Sequence, residues 1–245
     1  LFRSGTPASK ESAALTTEDI RRIQDDFVTA TERSIRAGFD LIELHGAHGY
    51  LGSQFLSPYS NRRTDQYGGS SAGRRRFLIE LFHRCRETAD DRAKVYFRLG
   101  VTDKDGQGLT LEEGTATAAV LQEEGMELIH VSSCHGVSES VRPEGSRHSA
   151  LIHLAGAVKQ RVTMPVIGVG GINTPEAAQA VLDDGMADLV AVGRGLLADP
   201  EWVRKTIENR EDEIELCRRC SPCFWFRNPS ACPARKALGR VFPPS

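Results

Sequence analysis

The amino-acid sequence predicts an α/β fold whose sheet is parallel and covered on both faces. Three observations carry this reading. Five short runs rich in branched apolar residues each precede a longer run of helical periodicity. Three helix-to-strand joints, Gly38-Phe-Asp-Leu-Ile, Gly125-Met-Glu-Leu-Ile and Gly185-Met-Ala-Asp-Leu-Val, share one grammar in which a glycine closes the helix and a strand begins after a short link. Strands separated by helices return to the sheet in the same direction, so the sheet is parallel and its strands read as apolar runs.

In chain order, residues 1–15 are small and polar and are expected to form a loop. Thr16 caps a first helix with Asp19 as reciprocal partner, Ile20, Ile23 and Phe27 mark its apolar face, and Gly38 stops it. A strand follows over 40–45. The stretch 51–71, containing Asn61-Arg-Arg-Thr-Asp-Gln-Tyr-Gly-Gly69, reads as a long loop, a length usually reserved for function or a subunit contact. A helix over 72–88 leads to a strand over 94–99. Thr110 caps the next helix, with Glu113 completing a capping box, and a strand lies over 128–132. A helix over 150–161 precedes the strand 165–169. Thr174-Pro175 opens a helix with a cap and a first-turn proline, a strand covers 188–192, and Asp199-Pro200 opens the last helix of the series in the same way.

Such a sheet is either doubly wound and open or part of a (β/α)8 barrel. The glycines after the last two strands favour the barrel. Gly170 and Gly171 end one strand; Gly193, Arg194 and Gly195 end the next. In barrels these two loops commonly hold a phosphate, bare backbone N–H groups approaching the anion and a cation neutralising it. Neither loop has the spacing of a dinucleotide fingerprint or a P-loop.

The chemistry gathers in Leu41-Ile-Glu-Leu-His45-Gly-Ala-His48-Gly-Tyr50. Strand alternation puts Leu41, Glu43 and His45 on one face and Ile42 and Leu44 on the other, and Gly46 and Gly49 then let the chain bend where the polar groups begin. Two imidazoles and a phenol at a strand's C-terminal end can grip an acceptor atom and deliver a proton.

The 40% apolar and 26% charged content of this 245-residue chain fits a globular protein of one large or two small domains. A net charge of −2 gives no bulk reason to expect nucleic acid or an anionic membrane. No run is long and apolar enough for a bilayer, and the default expectation is cytoplasmic. Four of the six cysteines crowd into Cys217, Cys220, Cys223 and Cys232, which points to metal or redox chemistry rather than stapling. Cys-x2-Cys-x2-Cys with a distal Cys-Pro is ferredoxin-like spacing, and four thiolates equally suit zinc. Arg218, Arg219, Arg227 and Arg235 would offset the thiolate charge, and Phe224, Trp225 and Phe226 could shield a cluster or form a docking surface. Cys85 and Cys134 read as buried thiols.

On the stretches 37–51, Gln54-Phe-Leu-Ser-Pro58, Asn61 to Gly69, Phe97-Arg98, Val192-Gly-Arg194 and Asp199-Pro-Glu-Trp202, the sequence resembles the old yellow enzyme family of NADH:flavin oxidoreductases. The resemblance implies an eight-stranded TIM-type barrel holding FMN at the strands' C-terminal ends, with hydride passing from NAD(P)H through the flavin to an activated alkene or similar acceptor. It implies that His45 and His48 bind the substrate oxygen or a phenolate and that Tyr50 donates the proton. Arg98 would stand beside the flavin's pyrimidine edge, although it could also pair with Glu43; Gly170, Gly171, Gly193 and Arg194 would cradle the phosphate. Only about five of the eight strand–helix units are visible, over 1–209. The missing strands are therefore expected from a second polypeptide, a neighbouring subunit or a cleaved N-terminal fragment, since two apolar parallel edges are a liability. The tail, 210–245, resembles the cysteine set of relatives of 2,4-dienoyl-CoA reductase and trimethylamine dehydrogenase, which implies a [4Fe–4S] cluster, with zinc as the alternative. The competing functional expectation is a flavin-free, structural or electron-relay subunit that kept part of the barrel.

Overall fold

The computed structural model describes residues 14–103, 108–226 and 228–239. Most of the expected N-terminal loop, and Arg227, lie outside the described residues. The elements run α1 Thr17–Arg36, β1 Leu41–Gly46, α2 Leu51–Leu56, α3 Ser71–Ala89, β2 Lys94–Gly100, α4 Leu111–Glu123, β3 Ile129–Ser132, α5 Ala150–Lys159, β4 Val166–Val169, α6 Pro175–Asp183, β5 Leu189–Ala191, α7 Arg194–Ala198, α8 Trp202–Ile207 and α9 Pro233–Ala237.

The helix starts follow side-chain chemistry. Thr16 and Asp19 form a reciprocal capping box on α1, and the Thr174 hydroxyl accepts from the Ala177 N–H at the head of α6. On α4, Thr110 accepts from the Glu113 N–H, but the expected reciprocal bond is replaced. The Glu113 carboxylate instead accepts from Ser71 (2.7 Å) and Arg74 (2.5 Å), tying α4 to α3. The last helix of the series begins at Trp202 rather than directly at the Asp199-Pro200 pair, and the Asp199 carboxylate accepts from Lys205 and from the Glu201 and Glu215 amides. At the three shared joints Gly38, Gly125 and Gly185 have φ of 84°, 94° and 64°, the left-handed conformation that ends a helix at little cost only for glycine.

All five strands are parallel and lie in the order β1-β2-β3-β4-β5. A doubly wound sheet reverses its strand order at a switch point; strictly sequential order with crossovers of one hand puts the helices on one face and curls the other inward. The order is that of a (β/α)8 barrel, of which this chain supplies five units. Curvature shows in a side-chain bond that skips a strand: His130 Nδ1 of β3 lies 2.8 Å from Glu43 Oε2 of β1. The main core packs the outer strand faces (Leu44, Phe97, Ile129, Val166) against α1 and α3 through Ile20, Phe77, Leu81 and Phe82. A smaller core joins α5, α6 and α8 through Ile152, Val181 and Trp202. No described helix is long and apolar enough to cross a membrane.

Candidate active site at the C-terminal end of the sheet

β1 hands the chain to a turn that ends in α2, which the sequence pattern reads as loop. Gly52 of α2 lies so close to the strand end that a Cβ there would sit 2.9 Å from Gly46 Cα. The turn is thereby pressed onto the strand, and His45, His48 and Tyr50 converge. The His45 ring centroid is 5.1 Å from that of His48 and 5.2 Å from that of Tyr50. His48 holds a left-handed φ of 60°, uncommon for a residue with a side chain. Two contacts at the end of β3 hold it there: its N–H donates to the carbonyl of Ser133, just past the strand, at 2.9 Å, and its Nε2 lies 2.7 Å from the Ser132 hydroxyl. Burial, reinforced by the positive charge of Arg98, pushes the His48 pKa down to about 4 and lowers that of His45. Both imidazoles are neutral at physiological pH, so each carries one N–H donor and one acceptor nitrogen. Tyr50 is exposed.

Below the histidines the inner face carries Glu43, Tyr96, Arg98 and His130. Registers Glu43↔Tyr96, His45↔Arg98 and Arg98↔His130 put them in adjoining positions. The Glu43 carboxylate is taken by His130; among the described residues it forms no direct ion pair with Arg98, whose positive charge still helps to hold the carboxyl below its ordinary pKa. The buried Nε of Arg98 and Nε2 of His130 have no hydrogen-bond partner among the described residues. A half-buried cation whose buried Nε donor is unused, facing an inner polar surface, is a ready ligand for an acceptor group.

The glycines after β4 and β5 bound a cavity of about 190 Å³ lined by Gly170, Gly171, Gly193, Arg194, Cys217 and Arg219, among others. Gly170 and Gly171 have φ of 116° and 76°, and a Cβ on Gly170 would meet Leu151 at 2.9 Å. The backbone is thus kept bare where it borders the cavity. Because the strands are parallel, this cavity and the His45, His48 and Tyr50 group lie at the same end of the sheet.

One cluster escaped the sequence reading. Asp103, buried after β2, accepts from Ser57 (2.6 Å), from the Leu109 amide (2.7 Å) and, at 2.7 Å, from Nδ1 of His135, which follows β3. These donors hold the Asp103 carboxyl below its ordinary pKa despite its burial. The Tyr59 ring stands edge-on to His135 at 6.2 Å. Asp103 and His135 are too far apart in sequence for any local spacing to pair them; the one available signal was their common position just past strand ends.

Cys217, Cys220, Cys223 and Cys232 are all free and half-buried. Among the described residues they do not gather into a group of three or more metal-ligating side chains. Short helical turns over Phe224–Phe226 and Pro229–Ala231 carry the chain on to Cys232, which heads α9. Cys85 and Cys134 are buried, and burial pushes both thiols up in pKa, which makes them unreactive.

The sequence profile described as NADH:flavin oxidoreductase / NADH oxidase family matches residues 2–213. An NADH oxidase of Thermoanaerobacter brockii is 44% identical over 211 residues, 84% of this chain and 32% of that protein. A probable NADH-dependent flavin oxidoreductase, YqiG, of Bacillus subtilis is 37% identical over 206 residues, 82% of this chain and 55% of the relative. Among solved structures, histamine dehydrogenase from Rhizobium sp. 4-9 superposes with a TM-score of 0.72 at 31% identity, covering 84% of this chain and 30% of the other. Morphinone reductase in complex with tetrahydroNAD gives 0.63 at 34% identity, covering 80% and 51%. The chain thus spans between about a third and just over half of the length of these relatives.

Proposed function

Because this chain belongs to the NADH:flavin oxidoreductase / NADH oxidase family, we propose that it forms the substrate-gripping and phosphate-holding part of an FMN-dependent oxidoreductase. The reductant is NAD(P)H and the acceptor an activated alkene, an enone or a similar electrophile. One observation carries the reading: the neutral His45 ring, within 5.2 Å of both the His48 imidazole and the Tyr50 phenol, shares a sheet end with a bare-backbone cavity flanked by Arg194. The residues fit FMN. The orphaned Nε of Arg98 suits the electron-rich edge of the ring, and the glycine-lined cavity suits the phosphate. When bound, FMN supplies the hydride-carrying ring.

His45 and His48 polarise the acceptor's oxygen through N–H donors, and the second needs little reorganisation because Ser132 holds its ring and the Ser133 carbonyl holds its backbone. Tyr50 would deliver a proton to the carbon next to the polarised carbonyl, where enolate charge collects once the β-carbon has received hydride. A Tyr50→Phe variant is expected to reduce an enone at least about a hundredfold more slowly, the usual scale of general-acid catalysis, while cofactor reduction by NAD(P)H is unchanged. Equal slowing of the two half-reactions contradicts the proton-donor role.

Two further parts of the proposal concern what adjoins this chain. The edges at β1 and β5 are completed by strands from a second polypeptide, a neighbouring subunit or another segment of the same protein; exposed Leu41 and Leu189 on those strands support this. The four tail cysteines at Cys-x2-Cys-x2-Cys spacing support a thiolate-held [4Fe–4S] cluster, or zinc, only if they converge further than they do here. Iron, zinc and sulfide analysis of the purified protein tests this.

A further inference from the structure

The cysteine-rich tail folds back onto the glycine cavity and supplies part of its wall. Asn173, in the loop after β4, clasps the tail with both ends of its amide: Nδ2 donates to the Cys217 carbonyl (3.3 Å) and Oδ1 accepts from the Cys217 N–H (3.2 Å). The Trp202 indole holds the Asn173 carbonyl at 3.1 Å, and the Glu215 N–H donates to the buried Asp199 carboxylate at 3.1 Å. Two residues past the clasp, Arg219 turns in a left-handed conformation with φ 52°. Its Nη2 donates to the Gly171 carbonyl at 2.9 Å. Arg219 and Arg194 both line the cavity, its lining contains no carboxylate, and neither guanidinium makes an ion pair among the described residues. The neighbouring Arg218 differs: it is paired with Glu215 at 2.5 Å.

We propose that Arg219 is a second cationic ligand for a phosphate monoester, the phosphate of FMN, so that the tail is a wall of the cofactor site and its docking is coupled to cofactor binding. The inference rests on the FMN reading above. The chemistry favours it on three grounds. A phosphate monoester carries a charge of about −2, more than one guanidinium neutralises. Arginine has five donors, so the bond to Gly171 leaves others for the anion. A cavity of about 190 Å³ also has room for a group the size of several water molecules at about 30 Å³ each. Anything that favours the docked tail must, by reciprocity, tighten the anion, and the anion must in turn hold the tail.

The test compares FMN with riboflavin, which lacks the phosphate, by fluorescence titration of the 245-residue protein, its Arg219→Gln variant and its Arg218→Gln variant. Arg219→Gln is expected to weaken FMN about tenfold, the scale of one charge-assisted hydrogen bond at an exposed site, and to leave riboflavin unchanged; Arg218→Gln changes neither. Amide hydrogen exchange over residues 215–223 supplies a second readout. Inorganic phosphate or FMN should slow it in the unsubstituted protein and not in Arg219→Gln. Equal FMN affinity in Arg219→Gln and the unsubstituted protein, or parallel weakening of FMN and riboflavin, overturns the role of Arg219 and leaves the flavin reading standing. Failure of the unsubstituted protein, purified with the strands that complete its β1 and β5 edges, to bind either flavin overturns both.

Discussion

His48 concentrates more physical constraint than any other residue of the site: a left-handed backbone, two bonds to the end of β3 and the residue after it, and a pKa pushed to about 4. The direction of that shift has a consequence for stability. Unfolded, the imidazole takes up a proton near its ordinary 6.5, whereas the folded site resists until about 4. The stability tied to His48 is therefore fully present above 6.5 and is lost as pH falls through that window. A His48→Asn variant, asparagine being tolerant of left-handed φ, should lose less stability to urea between neutral pH and about 4 than the unsubstituted protein. Parallel pH profiles for the two proteins contradict the buried, neutral imidazole. At this scale the sequence was most legible where groups lay close along the chain: His45, His48 and Tyr50 are neighbours in sequence and in space. It was least legible where strand ends bring distant residues together, as with Ser132 under His48 and Asp103 beside His135.

The elements with chemical punctuation were readable. Thr16, Thr110 and Thr174 start helices, and Gly38, Gly125 and Gly185 end them. α2 was not, because its six residues are too short for helical periodicity and Tyr50 offers no side-chain cap. Tertiary partners hold it instead. Asn61 donates from Nδ2 to the carbonyls of Phe55 and Tyr67, each at 2.7 Å, and Arg74 Nε donates to the Leu56 carbonyl at 3.0 Å. The conspicuous run from Asn61 to Gly69 thus spends polar groups on closing its own loop and capping α2. It positions the site without entering it. Asn61→Ala strips buried carbonyls of a shared donor and is expected to cost about 2 kcal/mol in urea unfolding. A loss within the measurement's noise would show that α2 does not depend on this bracket.

For the whole molecule, the alternation of strands and helices fixed a parallel sheet, and the sequential strand order distinguishes a barrel from a doubly wound sheet. The five units leave Leu41 of β1 53% exposed and Leu189 of β5 48% exposed, a condition parallel sheets rarely tolerate. Packing of the tail against the loop after β4 was not legible, because a cysteine pattern suggests what it ligates and says nothing of where it docks. The central claim is that a flavin lies at this sheet end, between the His45–His48 grip and the glycine cavity. The most direct test is to load the protein with FMN and titrate it with a phenol while recording long-wavelength charge-transfer absorption. The account predicts a new band in the unsubstituted protein that disappears in a His45→Ala, His48→Ala double variant still carrying FMN. A band that survives loss of both histidines, or FMN-loaded unsubstituted protein that never develops one, would contradict it.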